Sequence, residues 1–299
     1  MMYANRFLEF LEWVKQRRSR NTYETYYYLL LPFHRWMREK RLTVDTVTDR
    51  DIYAYLNSRD WSNSQKNKFI AVIKKFFDWY SRRIPINDPI EYQRQMARIA
   101  CIKEDITFYP PILTGRKNAL TYDELVKLLR VASEGDRPTI YLLAYFGLRK
   151  SELFSLTPDD LIPEMNAVDI SKVKLGKTKQ ARTEKLRLYY NDYVKEVVFP
   201  AYFEDPIRCP KTFNARLVKY SKILGFRLFP HQLRGTFNTE MRRILEDDIL
   251  LKVLMGHTVK RSDMTARYLS DDYLEEEKRK AMIDFHYMTG LRMDGTFET

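Results

Sequence analysis

The sequence predicts a mostly helical protein of two domains with one small antiparallel sheet. Three observations carry that prediction. Apolar residues recur at three- and four-residue spacing through most of the first 83 residues and again from residue 121 onward. Only 9 of the 299 residues are glycine, well below the usual ~7%, which disfavours folds built from many tight turns. Only the stretches 168–173 and 182–190 alternate apolar and polar residues as strands do.

Taken in order, the first 83 residues give four helices. Phe7, Leu8, Phe10, Leu11 and Val14 open the first. The second runs from Thr22 to Lys40, with Tyr26, Leu29, Leu30, Phe33, Trp36 and Met37 on one broad face. Thr48 has the chemistry of an N-cap for a short helix holding Ile52, Tyr55 and Leu56. Ser62 or Ser64 begins the fourth, which turns Phe69, Val72, Ile73, Phe76, Phe77 and Tyr80 to a core. Residues 84–118 carry Pro85, Pro89, Pro110, Pro111 and Gly115 with weak periodicity. They are expected to form an extended basic linker with one helical turn near 92–100. Thr121 and Glu124 then form a capping box that opens the second domain, 119–299.

Within that domain, residues 140–146 read as a buried helix ending at Gly147. The two alternating stretches make a hairpin with its tip at 174–181. Helices are expected at 192–203, 212–224, 231–245, 248–255 and 273–286. The last begins with Asp271, Asp272 and Glu275 to Glu277, too acidic to face a polyanion. Its Met282, Ile283 and Phe285 suit docking on a neighbour.

The net charge is +12. Residues 1–118 hold 22 basic and 13 acidic residues, a net of +9, and residues 119–299 hold 30 and 27, a net of +3. A basic first domain implies a polyanionic partner, nucleic acid before others. Lys66 and Lys68, at the polar start of the fourth helix, are candidate phosphate contacts, although a basic helix face can also be merely solvated. The two cysteines, Cys101 and Cys209, are far apart and suggest neither a disulfide framework nor a zinc site. They fit a reducing cytoplasm, and no run of 18 apolar residues suggests a membrane span. The four histidines have no metal-ligand spacing, so no metal is expected. Gly176-Lys177-Thr178 imitates the end of a Walker A loop, but Ser171 occupies the position of its first glycine. No nucleotide cofactor is expected.

Six residues of the second domain can together serve phosphoryl transfer: Arg149, Lys177, His231, Arg234, His257 and Tyr268. Charge builds on the non-bridging oxygens when phosphorus is attacked, and fixed guanidiniums meet it with paired donors. His231 and Arg234 lie three apart, on one helix face. A phenol such as Tyr268 needs positive neighbours or a base to act as nucleophile near neutral pH. Lys177 on the hairpin tip can serve as general acid, while Lys174 and Lys179 beside it can touch phosphates. Singly, each of these residues has an ordinary surface or core reading, and Tyr273 is a rival to Tyr268.

The strings Gly147-Leu148-Arg149-Lys150-Ser151-Glu152-Leu153 and His231-Gln232-Leu233-Arg234-Gly235-Thr236-Phe237, with Gly256-His257 and Tyr268 following, occur in an order that resembles the tyrosine recombinase family of phage integrases and Xer proteins. The run Phe76-Phe77-Asp78-Trp79-Tyr80 followed by Asn87-Asp88-Pro89 is similar to the end of that family's core-binding domain. The resemblance implies a four-helix core-binding domain at 1–83, a linker at 84–118 and a mostly helical catalytic domain. It implies metal- and ATP-independent cleavage of double-stranded DNA through a 3′-phosphotyrosyl intermediate. Strand exchange would follow through a Holliday junction in a tetramer clamped on DNA. His257 would touch a non-bridging oxygen, and Glu152 would buttress Arg149. The 11-residue gap from His257 to Tyr268 is longer than the common Xer pattern and leaves cis or trans use of the tyrosine open. Type IB topoisomerases share this chemistry, and a DNA-binding protein without catalysis is the non-enzymatic alternative.

Overall fold

Two hydrophobic cores form on either side of residues 112–117. The computed structural model describes residues 6–111, 118–170, 186–204, 209–257 and 271–298, with side chains omitted at 271 and 272. The described residues up to 111 belong to one compact unit and those from 118 onward to a second.

The first unit is built from α1 (Arg6–Arg17), α2 (Arg20–Glu39), α3 (Asp49–Asn57), α4 (Asn63–Ser81) and α5 (Pro89–Asp105). Thr48 and Ser62 each close a capping box, with Asp51 and Gln65, so two helix starts are fixed by their own sequence. The core is strongly aromatic: Phe7 stacks on Phe76, while Phe33, Tyr55 and Phe69 meet at tilted or edge angles.

Helix α5 corrects the expectation of an extended linker at 84–118. Asp88 caps it through the backbone N–H groups of Ile90 and Glu91, and Pro89 occupies its first turn. Ile99, Ile102 and Ile106 are buried in the first core. Three apolar residues per two turns is a narrow stripe, and the long polar side chains around it mask the period.

The second unit contains α6 (Tyr122–Val131), α7 (Arg137–Phe146), α8 (Lys150–Leu153), α9 (Phe199–Glu204), α10 (Pro210–Leu224), α11 (Pro230–Ile244), α12 (Asp248–Leu254) and α13 (Asp271–Ile283). A π-helical segment, Val194–Val198, runs into α9. The small sheet is antiparallel and ordered β1 (Leu161–Ile162), β2 (Ala167–Asp169), β3 (Arg187–Tyr189). Its register pairs Ile162 with Ala167, and Val168 with Leu188. Strand β1 was not expected, because two residues carry no readable period. The hairpin tip lies outside the described residues.

Helix α7 is the centre of this unit. Every residue from Pro138 to Phe146 is buried, and α7 packs most heavily on α11. Its tyrosines also hold the C-terminal segment: Tyr145 donates to the Met282 carbonyl at 2.7 Å and Tyr141 to that of Leu291 at 2.9 Å. Helix α13 lies against β3 and α12 with Met282 fully buried. Met282 therefore belongs to this chain's own core rather than to a docking face, and of the three residues assigned to a neighbour Phe285 stands exposed. Among the described residues, no helix is long and apolar enough to cross a membrane.

Candidate active site

The first arginine is placed by the way α7 ends. Gly147 adopts φ +60°, the left-handed conformation that stops a helix, and a Cβ there would lie 2.4 Å from Cδ1 of Phe237. Only glycine meets both demands. The chain then turns so that Arg149 precedes α8 and Glu152 reaches back to it. The Glu152 carboxylate accepts the Arg149 backbone N–H at 2.8 Å and its Nη1 at 2.7 Å. Glu152 is 1% exposed, yet the Arg149 side chain remains 42% exposed. One carboxylate thus orients a guanidinium that still opens to solvent.

The second arginine comes from α11. Arg234 is buried, and its Nη1 donates to the Gly147 carbonyl while its Nη2 donates to the Met255 carbonyl at 2.7 Å. Its Nη1 also lies 4.0 Å from Glu152 Oε2. Both arginines therefore converge on one buried carboxylate, leaving a local charge of +1 from the three groups. His257 follows the end of α12, and its Nε2 stands 3.4 Å from Arg234 Nη2. Both His257 and His231 are exposed, the latter in the first turn of α11. The structure thus brings Arg149, Glu152, Arg234 and His257 together and places His231 three residues from Arg234. Lys174, Lys177, Lys179 and Tyr268 lie outside the described residues.

Three supports were not identified from sequence. The Gly147 and Met255 carbonyls fix Arg234, and backbone groups leave no composition signal. Gly235 is the third: a Cβ there would lie 2.0 Å from the Asn118 carbonyl oxygen. The neighbouring Thr236 hydroxyl accepts the Leu120 N–H at 2.9 Å. The Arg-Gly-Thr step on α11 thus carries an arginine into the site and seats the incoming chain behind it. A glycine inside an otherwise good helix was the available signal.

A cluster of two guanidiniums and an imidazole, held by a buried carboxylate and backbone carbonyls, is suited to a phosphoryl group that gains negative charge during reaction. Residues 118–275 match the phage integrase family, and residues 4–83 match the phage integrase N-terminal SAM-like domain. The chain belongs to the phage integrase family, and so to the tyrosine recombinases, enzymes of site-specific DNA recombination. Tyrosine recombinase XerA of Pyrococcus horikoshii is 30% identical over 184 residues, which are 58% of this chain and 65% of that protein. Tyrosine recombinase XerD of Proteus mirabilis is 23% identical over 300 residues, covering 93% of this chain and 90% of that protein. The structure of the Tn1549 transposon integrase in complex with transposon right end DNA shares the fold, with a TM-score of 0.57 at 17% identity. That likeness covers 91% of this chain and 98% of the other.

Proposed function

We propose that this recombinase cleaves and rejoins double-stranded DNA through a covalent 3′-phosphotyrosyl bond to Tyr268. The observation that carries the proposal is the convergence of Arg149 and Arg234 on Glu152, with His257 at the edge. Two oriented guanidiniums meet the charge that grows on the non-bridging oxygens. The Tyr268 oxygen attacks phosphorus and the bond to the 5′-oxygen breaks. His231 takes the phenolic proton, and Lys177 donates one to the departing 5′-oxygen, which leaves as a free hydroxyl. Ligation reverses these steps with a second strand's 5′-hydroxyl, so bond energy is conserved in the protein–DNA link. Exchange of two strand pairs would pass through a Holliday junction in a tetramer. DNA as the partner is supported by family membership, by the +12 net charge, and by the DNA carried by the Tn1549 relative.

The test is covalent capture on nicked duplexes, where the cleaved strand diffuses away. Tyr268→Phe should bind DNA but form no adduct, and wild type should form it in EDTA. An adduct in Tyr268→Phe that disappears in Tyr273→Phe moves the nucleophile. A strict requirement for Mg²⁺ overturns the chemistry. Product topology on one-site and two-site plasmids separates strand exchange from simple relaxation.

A further inference from the structure

The segment that follows α5 is fastened to the first unit by three side chains, Tyr53 of α3 and Asn63 and Asn67 of α4. Ile106 is fully buried, and beyond it the Tyr53 hydroxyl accepts the Thr107 N–H at 2.9 Å and donates to the Asp105 carbonyl at 3.1 Å. Asn67 on α4 bonds both backbone groups of one residue: its Oδ1 accepts the Tyr109 N–H at 2.8 Å, and its Nδ2 donates to the Tyr109 carbonyl at 2.9 Å. Asn63, one turn earlier, donates to the Pro110 carbonyl at 2.9 Å. These side chains act toward residues 107–110 as a neighbouring strand would, so the backbone there has a fixed course along α4.

That course displays two rings and two ammoniums. Phe108 is 57% exposed, with Lys74 Nζ 5.6 Å from its ring centre. Tyr109 has Lys66 Nζ 5.0 Å from its own. A lone exposed phenylalanine is ordinary surface. Here the ring sits on a backbone tied down at the residue before it and the residue after it, with Lys74 beside it, in the more basic part of the chain. Lys66 and Lys74 are eight residues apart, a rise of about 12 Å along α4. This spans roughly three to four base-pair steps of about 3.4 Å. Two adjacent rings with an ammonium beside each match a groove edge bounded by phosphates, and inserted phenylalanines are a known means of gripping the minor groove.

We propose that Phe108, with Lys74 beside it and Lys66 beside the adjacent Tyr109, is a DNA contact of the first unit, with its ring in the minor groove and the lysines on bordering phosphates. Asn67 is a positioning residue that holds the segment in place. The inference rests on the proposed DNA reaction for its partner, yet its test does not depend on cleavage.

Full-length variants would be titrated against duplex DNA across a salt series. Phe108→Ala should weaken binding about five- to thirty-fold with an unchanged salt slope, because an apolar contact releases no counterion. Lys66→Gln and Lys74→Gln should each flatten the log–log slope by about 0.9. Asn67→Ala should weaken binding in the wild-type background and add little to Phe108→Ala, the signature of a shared contact. Melting curves confirm folding, and exposed Phe108 can be removed without opening the core. Phe108→Ala binding within twofold of wild type, with unchanged slopes in both lysine variants, overturns the proposal. Loss of poly-glutamate binding with DNA binding intact also overturns it and assigns the ridge to an acidic protein. Wild-type adduct formation on nicked DNA is measured alongside. Its failure would overturn the cleavage mechanism while leaving the ridge to be judged by binding alone.

Discussion

At Glu152 a single side chain orients Arg149 and supplies the counter-charge for Arg234. It is buried, and its two oxygens serve Arg149 at bonding distance and Arg234 at 4.0 Å. Glu152→Gln keeps the shape but removes the charge, so two guanidiniums would share a site without their counter-ion. Cleavage should slow by about 10²-fold, the scale of misplacing one oriented donor, with DNA affinity little changed. Glu152→Ala should also cost about 3–5 kcal/mol of stability, since a buried cation loses its partner. Urea titrations and single-turnover cleavage separate these effects; full activity in Glu152→Gln would remove it from the site. His286 supports the fold by a different route. It is fully buried, stacks on Tyr145 at 4.0 Å and shares a hydrogen bond with the Tyr145 carbonyl at 2.8 Å. Burial pulls its imidazole down to about 3. The unfolded chain takes up a proton near pH 6.5 that the folded chain refuses until about pH 3. This contribution is therefore complete above pH 6.5 and is lost as pH falls toward 3, with a slope of about 1.4 kcal/mol per pH unit. Urea midpoints from pH 4.5 to 7.5 should show His286→Asn and wild type converging toward acid. An NMR titration of the ring near pH 6 would contradict this account.

Among the elements, the turn from α7 into α8 carries the greatest demand. Gly147 must hold φ +60°, admit Phe237 against its Cα and present its carbonyl to Arg234. Gly147→Ala should cost about 2–4 kcal/mol, combining left-handed strain with overpacking. It should also slow cleavage beyond what that destabilisation explains, because Arg234 loses an anchor. A variant that melts like wild type would refute the packing argument. Much of this element was legible in sequence, since Gly147 at the end of an apolar run and the Glu152 spacing were both readable. The capping box at Thr121 and the N-cap at Thr48 were readable for the same reason, being local. The fourth helix's start was legible only as Ser62 or Ser64, and the structure places the cap at Ser62. Non-local supports were less accessible. The Met255 carbonyl meets Arg234 across 21 residues, and Asn67 meets Tyr109 across 42. Helix α5 was missed because prolines at both ends of 84–118 dominated a stretch with a narrow apolar stripe. Met282 was assigned outward because an amphipathic helix does not state whether its apolar side faces its own core or another molecule's.

For the whole molecule, charge and core are divided differently between the two units. Residues 1–115 hold 20 basic and 13 acidic residues, +7 of the total +12. The second unit has its own extended core, running from Leu120 through α7 and α11 to Leu291. Its N-terminal entry is secured internally, since Asn118 packs on Gly235 and Leu120 bonds to Thr236. A fragment of residues 116–299 should therefore fold alone with a cooperative melt. It retains Arg149, Glu152, His231, Arg234, His257 and Tyr268, and should still form the covalent adduct weakly at high protein concentration. Its affinity for duplex DNA should fall, and the salt dependence should flatten with it. At about 0.9 slope units per phosphate neutralised, loss of four contacts would lower the log–log slope by about 3 to 4. Anisotropy titrations of full-length and truncated protein from low to moderate salt measure that difference directly. An unchanged slope would make the basic face of the first unit a solvated surface and place the grip on DNA in the second. A fragment that binds with the reduced slope yet forms no adduct at any concentration would show that the first unit is needed for cleavage as well as for binding.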